Sequence, residues 1–293
     1  MSDPNAKCER FRTLIRDPEI LVMPGAHDAL TAMILEAEGF KAVQHSSWGV
    51  AAAYGLPDGG IMSLSESLEA VRHMVRAVDV PVNADAEGGF GLPANVYRTA
   101  CELIQVGAVG MNLEDKSVRP GEAGWGIIEL EEMLDKIDAF LEAKRDCGSA
   151  FVLNARTDAV MAYADDPERG VAEAVDRGNV FSEKGADLVF VFGKLSAESV
   201  SILVREIQAP ISITCYSDGL TVQELQDLGV GRTSLGTDSI RIAAGAVERF
   251  ARALLGWGLA ARVGRRRRTD RLAAPVAHSW LALFYRSHVP YGK

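Results

Sequence analysis

The sequence predicts an α/β protein, a (β/α)8 barrel of the TIM type with a helical and basic C-terminal extension. Eight short apolar or β-branched runs begin near residues 20, 42, 81, 110, 150, 187, 209 and 231, separated by stretches with helical periodicity. Strands joined by helical crossovers are parallel, and eight such units favour a closed barrel over an open doubly wound sheet. No GxGxxG or GxxxxGK[ST] motif follows the first run, which argues against the doubly wound alternative.

Helices between these runs are indicated by apolar spacing and by capping residues. One row repeats every three to four residues, as on a helix that lies against a sheet: Leu68, Val71, Val75 and Val78. Ser63-x-x-Glu66 and Thr221-x-x-Glu224 predict capping boxes, and Asp166-Pro167 predicts an N-cap with proline at the first helical position. Four helices are predicted to end just before a strand, at Gly39, Gly107, Gly185 and Gly229.

Length and charge suggest two parts of unequal size. The 293 residues, 48% hydrophobic and 24% charged, fit one large domain or two small ones. We expect the catalytic barrel over 1–258 and a basic extension over 259–293, packed in one interpretation on a neighbouring subunit. The chain carries a net charge of −9, which argues against a broad nucleic-acid surface. The run Arg265–Arg268 is suited to phosphates in isolation, and its simpler interpretation is a solvated tail.

Cysteine usage and hydropathy favour a cytoplasmic protein with no membrane partner. The four cysteines are scattered and form no CxxC pair, which is typical of a reducing compartment. The polar start of the chain lacks the apolar run of a signal peptide. The longest uncharged run, Ala42–Pro57, is too short and too polar to span a bilayer.

Carboxylates gather where the third and fourth predicted strands end, at the edge of a barrel where reactive groups lie. Asp85 and Glu87 are two residues apart, so on a continuous strand both side chains would point to the same side. Glu114 ends the adjacent strand, and three converging carboxylates repel one another unless a divalent cation such as Mg²⁺ binds between them. The alternative is that these carboxylates cap loops or pair with Lys116 or Arg156.

Further polar residues follow the second and fifth strands. Arg156 presents a planar guanidinium whose donors suit a carboxylate or a phosphate, and a salt bridge is the alternative role. Four residues after the second strand are suited to hold the other anionic end of a substrate, or form a simple polar turn: Ser46, Ser47, Trp48 and Gly49.

Five motifs in matching order and spacing resemble the isocitrate lyase/phosphoenolpyruvate mutase superfamily: Pro24–Leu30, Gly55–Asp58, Asp85–Gly91, Leu113–Asp115 and Ala155–Asp158. The resemblance implies a barrel, often a tetramer with a C-terminal helix exchanged between subunits, that binds Mg²⁺ and a small 2-oxo or 2-hydroxy acid. It implies that Asp85 ligates the metal, with Glu87 and Glu114 contributing directly or through water. Asp58 would support that water shell.

The resemblance also implies how substrate is held. Ser46 and Ser47 match a Ser-Gly pair that grips the substrate carboxylate, with Trp48 and Gly49 beside it, and Arg156 matches an arginine that binds substrate oxygens. The shared chemistry would be a pyruvate-like enolate, because the metal takes up the charge that develops on oxygen as a C–C or C–P bond breaks.

Residues 116–129 depart from the superfamily pattern. The isocitrate and methylisocitrate lyases carry a Lys-Lys-Cys-Gly-His loop here, and its cysteine acts as acid and base. This chain has neither cysteine nor histidine in the segment, which argues against those two activities. Lys116 is similar to the lysine of a Glu-Asp-Lys motif in mutases and phosphonopyruvate hydrolases, although their downstream lysine and asparagine are absent. Three glycines around Trp125, at 121, 124 and 126, predict a lid.

The sequence therefore predicts a Mg²⁺-dependent lyase or decarboxylase that cleaves a C–C bond in a small 2-oxo or 2-hydroxy dicarboxylate through a pyruvate enolate. Arg156, Lys116 and Glu114 are the predicted catalytic residues. The first alternative is a C–P bond enzyme, of the phosphoenolpyruvate mutase or phosphonopyruvate hydrolase type, that acts on a phosphonate. A Schiff-base aldolase using Lys194 and a non-catalytic barrel are further alternatives. His45 precedes Ser46 on a strand and is predicted to be structural.

Overall fold

The computed structural model of the chain describes residues 4–117 and 125–255. Most of the predicted lid, including Gly121 and Gly124, lies outside the described residues. The C-terminal extension over 259–293, with Arg265–Arg268, lies outside them as well. Within residues 4–117 and 125–255, no helix combines the length and the apolar character needed to cross a membrane.

Ten strands are present in the described part of the chain, and eight of them close into a parallel barrel. They are β1 (Leu21–Ala26), β2 (Val43–His45), β3 (Val82–Asp85), β4 (Gly110–Glu114), β5 (Lys116–Ser117), β6 (Gly126–Ile127), β7 (Val152–Thr157), β8 (Leu188–Val191), β9 (Ile211–Thr214) and β10 (Arg232–Leu235). The barrel order is β1-β10-β9-β8-β7-β4-β3-β2. The predicted (β/α)8 fold is therefore confirmed, with each barrel strand starting within a few residues of its predicted apolar run.

Helices surround the barrel. They are α1 (Pro4–Ile15), α2 (Ala29–Ala37), α3 (Ser47–Ala53), α4 (Leu64–Ala77), α5 (Pro93–Val106), α6 (Leu130–Asp146), α7 (Ala159–Ala162), α8 (Pro167–Lys184), α9 (Ala197–Glu206), α10 (Val222–Asp227) and α11 (Asp238–Leu255). Both predicted capping boxes form, at the starts of α4 and α10, and Asp166 caps α8. Gly107 and Gly185 end α5 and α8 with φ of 90° and 119°, a left-handed backbone that favours glycine.

The amino end of the barrel is closed by α1, a helix that the sequence reasoning did not predict. Phe11 and Ile15 of α1 pack with the first residues of three strands, Leu21, Val152 and Leu188. Phe11 is fully buried. The carboxyl end of the barrel is consequently the end that remains available to a ligand.

The two remaining strands, β5 and β6, form an antiparallel hairpin above the carboxyl end. Lys116 pairs with Ile127, and Ser117 pairs with Gly126. Trp125 directly precedes β6. The sequence predicted a lid in this segment without predicting its strands.

Candidate active site

Asp85 ends β3 and is held by two groups from neighbouring segments. Its Oδ2 accepts a hydrogen bond of 2.7 Å from Ser47 Oγ, and its backbone N–H donates to His45 Nδ1 at 3.2 Å. Burial lowers the pKa of His45 to about 4, so this ring is neutral at physiological pH. Because Nδ1 accepts this hydrogen bond, the neutral ring carries its proton on Nε2. His45 therefore orients the β3 end, in agreement with its predicted structural role.

Glu87 lies close to Asp85, but not for the reason predicted. The strand ends at Asp85, and Glu87 has a left-handed backbone with φ of 48°, so the alternation of side chains along a strand does not extend to it. Gly89 follows with φ of 85°, and a Cβ there would collide with Val96. Burial, together with the charges of Asp85 and Asp58, raises the pKa of Glu87 to about 7.

Glu114 and Arg156 form a buried ion pair at the ends of β4 and β7. The two residues are neighbours in the strand register, and Arg156 Nη1 lies 2.8 Å from Glu114 Oε2. Burial raises the pKa of Glu114, with the charges of Asp158 and Asp85 acting in the same direction and Arg156 opposing them. The structure therefore contains the predicted alternative, in which a carboxylate of this group pairs with Arg156.

Arg156 is also held by Asp158, in a bidentate arrangement. Its Nε and Nη2 donate to the two carboxylate oxygens of Asp158 at 2.6 and 2.9 Å, and its guanidinium carbon lies 3.9 Å from the ring centroid of Phe192. Burial alone would lower the pKa of Arg156, but the carboxylates of Asp158 and Glu114 raise it above its usual value. Three of five guanidinium N–H groups are used by these two carboxylates, which leaves two for an anionic ligand.

The carboxyl end of the barrel, called the mouth below, is covered on the side of the β5–β6 hairpin by Lys116, Asp58 and Trp125. Lys116 Nζ lies 3.6 Å from Asp58 Oδ2 and 4.2 Å from the centroid of the Trp125 ring. Trp125 Nε1 donates to Asp158 Oδ2 at 2.8 Å. The Trp125 ring stacks on Phe192 at a centroid distance of 6.0 Å. The hairpin is thus connected to the arginine through Asp158. The sequence motif Ala155–Asp158 includes Asp158 without giving it a role, and Phe192 was not predicted as a member of the site.

The four residues after β2 form the start of α3 rather than an irregular turn. Ser46 is the N-cap, and its hydroxyl accepts from Gly49 N–H at 3.1 Å. Ser47 and Gly49 are buried at the barrel mouth, and Arg241 lies 5.2 Å from the Trp48 ring. The hydroxyls of Ser46 and Ser47 consequently have structural partners, in the α3 cap and in Asp85.

A belt of amides lies directly beneath the charged residues. Asn83 Nδ2 donates to Gln44 Oε1 and to Asn112 Oδ1, both at 2.9 Å, and Asn154 Nδ2 donates to Asn112 Oδ1 at 2.7 Å. Arg232 Nη2 also donates to Gln44 Oε1. The sequence holds a signal for this belt. An asparagine stands two residues before each of Asp85, Glu114 and Arg156 on β3, β4 and β7, so period two places each pair on one face.

The donor chemistry of the mouth fits a hard divalent cation that keeps much of its water shell. Asp85, Glu87 and Glu114 offer carboxylate oxygens, and a cation would offset both the burial and the neighbouring charges that raise the pKa of Glu87. Among the residues that the structure describes, no three acidic, histidine or cysteine side chains surround one point as they stand. The predicted convergence is not seen because Arg156 draws Glu114 aside. Mg²⁺ commonly binds through one or two carboxylates and several waters, so the set still fits.

Lys194, the alternative Schiff-base residue, lies away from this site. It follows β8 and is 57% exposed, with its Nζ 2.8 Å from Asp218 Oδ2. This surface ion pair agrees with the simpler interpretation of Lys194 as a solvated residue.

The fold and the mouth together define a class: a (β/α)8 barrel enzyme with acidic residues at the ends of β3 and β4 and a buried arginine beside them. A model of the phosphoenolpyruvate phosphomutase family matches residues 11–255. The chain belongs to this family, within the isocitrate lyase/phosphoenolpyruvate mutase superfamily.

Named relatives agree with this assignment. The 2-methylisocitrate lyase of Halalkalibacterium halodurans is 33% identical over 250 residues, covering 83% of this chain and 80% of that protein. The 2,3-dimethylmalate lyase of Eubacterium barkeri is 33% identical over 243 residues, covering 80% of this chain and 81% of that protein. A structure of phosphonopyruvate hydrolase with oxalate and Mg²⁺ is similar with a TM-score of 0.79 and 28% identity, covering 88% of this chain and 90% of that one. The protein is therefore an enzyme, and its relatives support a carbon–carbon lyase of this superfamily.

Proposed function

We propose that the protein is a Mg²⁺-dependent lyase or decarboxylase that cleaves a C–C bond in a small 2-oxo or 2-hydroxy dicarboxylate, with a pyruvate-like enolate as intermediate. The observation that carries the proposal is the arginine–carboxylate network at the mouth, where Arg156 lies between Glu114 and Asp158 and beside Asp85. The network combines a fixed anion-binding cation with carboxylates that suit a metal.

Asp85 is the residue that we assign as direct metal ligand, with Glu87 and Glu114 contributing directly or through water. Mg²⁺ at this position would supply positive charge to an oxygen that becomes negative as the C–C bond breaks. Ser47 and His45 hold Asp85 through its Oδ2 and its backbone N–H, so the carboxylate is fixed before a ligand arrives. Asp58, near Lys116, would support the water shell.

Arg156 is the residue that we assign to bind substrate oxygens. Asp158 and Glu114 fix the plane of its guanidinium, and its two remaining N–H groups are suited to one carboxylate of the substrate. Phe190 and Phe192 pack against the same guanidinium and exclude water from it. The α3 start, with Ser46, Ser47, Trp48 and Gly49, is assigned to the other carboxylate.

Lys116 and Glu114 are assigned to proton handling at the mouth. Lys116 Nζ lies under the hairpin and near Asp58, where it can give a proton or a positive charge to a departing group. Burial raises the pKa of Glu114, so its carboxyl group can hold a proton at a higher pH than an exposed glutamate.

A C–P bond enzyme is the second candidate. The observation that favours it is the run Glu114-Asp115-Lys116, which resembles the Glu-Asp-Lys motif of those enzymes. Its lysine lies at the mouth, in the first strand of the hairpin. The likeness to a phosphonopyruvate hydrolase structure supports the same candidate at the level of fold and general chemistry.

A substrate panel tests both candidates. The purified enzyme is incubated with oxaloacetate, 2-methylisocitrate, 2,3-dimethylmalate and phosphonopyruvate, in excess Mg²⁺ and in EDTA, and products are identified by ¹H and ³¹P NMR. Turnover of a dicarboxylate that stops in EDTA and returns with Mg²⁺ supports the proposal. Phosphate release from phosphonopyruvate alone would favour the second candidate, and chelator-insensitive turnover would exclude the metal mechanism.

We also propose that the chain forms a homo-oligomer. Helices α2 and α11, which flank β1, expose several large apolar side chains, and groups of exposed apolar side chains often mark contact surfaces. These residues are Leu30, Met33, Ile34, Ile242, Val247, Phe250, Leu254 and Leu255. Size-exclusion chromatography with light scattering tests this, since a mass equal to one chain would contradict it.

A further inference from the structure

Two cysteines from different helices lie side by side on the outside of the barrel, away from the mouth. Cys101 belongs to α5 and is half-buried, whereas Cys147 is the C-cap of α6 and is exposed. Their sulfur atoms are 3.4 Å apart, and the Cys147 thiol points at the Cys101 sulfur as a donor. The other two cysteines, Cys8 and Cys215, lie in separate parts of the fold.

The backbone at this place is able to bring the two sulfurs together. A disulfide requires a sulfur–sulfur distance of about 2.05 Å, so the pair must approach by a little more than 1 Å. Cys101 is fixed within a long helix, but Cys147 lies where α6 ends. The next residue, Gly148, has a left-handed φ of 58°, and no heavy atom lies within 4 Å of the point where a Cβ would stand. Small rotations at Cys147 and Gly148 can therefore supply the approach without moving the barrel.

We propose that Cys101 and Cys147 are a redox modification site, at which glutathione disulfide oxidises the pair to a reversible intramolecular disulfide. The site is independent of the proposed lyase activity. It uses only Cys101 of α5 and Cys147 at the end of α6.

The chemistry proceeds in two exchange steps. The exposed Cys147 thiolate attacks one sulfur of glutathione disulfide, which forms a mixed disulfide and releases one glutathione thiolate. Cys101 loses its proton to solvent and attacks the Cys147 sulfur, which releases the second glutathione. The protein loses two protons and two electrons in total, and both pairs end on the two molecules of reduced glutathione. Burial raises the pKa of Cys101 to about 11, which explains why Cys147 is the first nucleophile.

The disulfide would close a ring that contains functional elements. The chain from 101 to 147 includes β4 with Glu114, the β5–β6 hairpin and the whole of α6. A link across this ring restricts the unfolded chain, and from loop length we expect oxidation to raise Tm by roughly 4–8 °C.

The test uses the full-length chain equilibrated in glutathione buffers from fully reduced to oxidised. Samples are quenched in acid, alkylated under denaturing conditions, digested and analysed by mass spectrometry, and Tm is measured in parallel. We expect a linked Cys101–Cys147 peptide pair, alkylated Cys8 and Cys215, and a rise in Tm that dithiothreitol reverses. The variants C101S and C147S should lose the rise, and the matched controls C8S and C215S should keep it.

Two results would overturn the proposal. One is full alkylation of both cysteines at the oxidised end of the series. The other is modification of Cys147 only as a glutathione adduct or as a link between two chains, which non-reducing electrophoresis would separate from the intramolecular product. Neither result bears on the lyase proposal, because Cys101 and Cys147 lie away from the mouth.

Discussion

At the amino end of the barrel, Phe11 and Ile15 of α1 pack against Leu21 and Val152 in an apolar cluster. At the carboxyl end, about 15 Å away along strands of this length, the same barrel buries an arginine among carboxylates and aromatic rings. Burying apolar groups stabilises the fold, whereas burying charged groups costs free energy unless each has a partner. The difference indicates that the amino end supports the fold and the carboxyl end is shaped for ligands.

Two adjacent carboxylates show how sharply this division runs. Glu114 faces the mouth, while Asp115 accepts from the backbone N–H of Asp158 at 2.8 Å and from Arg177 at 3.1 Å. Asp115 thereby joins β4 to β7 and to α8, a structural role that holds two strand ends together. Burial raises the pKa of Asp115 to about 6, although these partners oppose the shift. One residue of displacement along the strand thus separates a site carboxylate from a structural one.

The variant D85N tests the carboxyl end and should give the largest effect. It keeps the shape of Asp85 but removes the charge that we assign to the metal, so kcat/KM should fall by about 10³-fold. The free energy of unfolding should change by less than about 1 kcal/mol, because no apolar packing is lost.

Steady-state assays on the substrate found in the panel, with calorimetric titration of Mg²⁺, measure this. Activity and Mg²⁺ affinity equal to those of the wild type would show that Asp85 is not the ligand. The function assigned to the carboxyl end would then be wrong.

The variant F11A tests the amino end and should show the opposite pattern. Phe11 is fully buried in the α1 plug, so its truncation should cost about 3–5 kcal/mol of unfolding free energy. Far below its Tm, the variant should retain kcat and KM within about twofold, since Phe11 is remote from the mouth. Urea unfolding and assays at low temperature separate the two quantities, with F11L as the matched control. A large loss of kcat in the folded variant would break the division between the two ends.

The barrel could be predicted from the sequence because its signals are local. Each strand is an apolar run of a few residues, and each helix has its own spacing and caps, as the boxes at Ser63 and Thr221 illustrate. The plug helix α1 was not predicted because its sequence is largely polar, and its buried residues are Phe11, Ile15 and Cys8. Such a helix is stabilised by the barrel end that it covers, which the sequence around it does not reveal.

The site could be predicted only in part, because its partners are distant in sequence. The residue types and the strand ends identified Asp85, Glu114 and Arg156. Which oxygen faces which nitrogen depends on the β4–β7 register, and the placement of Glu87 depends on a left-handed turn that strand alternation does not foresee. The hairpin contact of Trp125 with Asp158 joins residues 33 apart in the chain.

The variant W125F sharpens the comparison by separating the hairpin from the mouth beneath it. Phenylalanine keeps an aromatic ring for Phe192 but removes the N–H that Trp125 donates to Asp158. Because Asp158 holds Arg156, we expect kcat/KM to fall by about 10-fold, a magnitude typical of a lost supporting contact. Unfolding free energy should change by about 1 kcal/mol or less. Steady-state kinetics and urea unfolding measure both, and a kcat/KM within twofold of wild type would contradict the coupling.

The smallest effect concerns pH and metal at the carboxyl end. Glu87 has a pKa of about 7, above the ordinary 4.5, so the folded protein holds this proton more tightly than the unfolded chain. The resulting stability is fully present below pH 4.5 and is lost as pH rises through 7. Without metal, Tm should therefore fall by about 2 °C or more between pH 5.5 and 8 from this group.

Mg²⁺ binds ionised carboxylates, so its stabilising effect should be larger at pH 8 than at pH 5.5. Differential scanning fluorimetry at both pH values, with Mg²⁺ and with EDTA, measures the two shifts. The variant E87Q should reduce the pH dependence of the metal-free protein, while E183Q, at an exposed position of α8, serves as the matched control. An equal Mg²⁺ shift at both pH values would mean that the cation does not relieve the charge at Glu87. The carboxyl end would then owe its buried charges to something other than a metal.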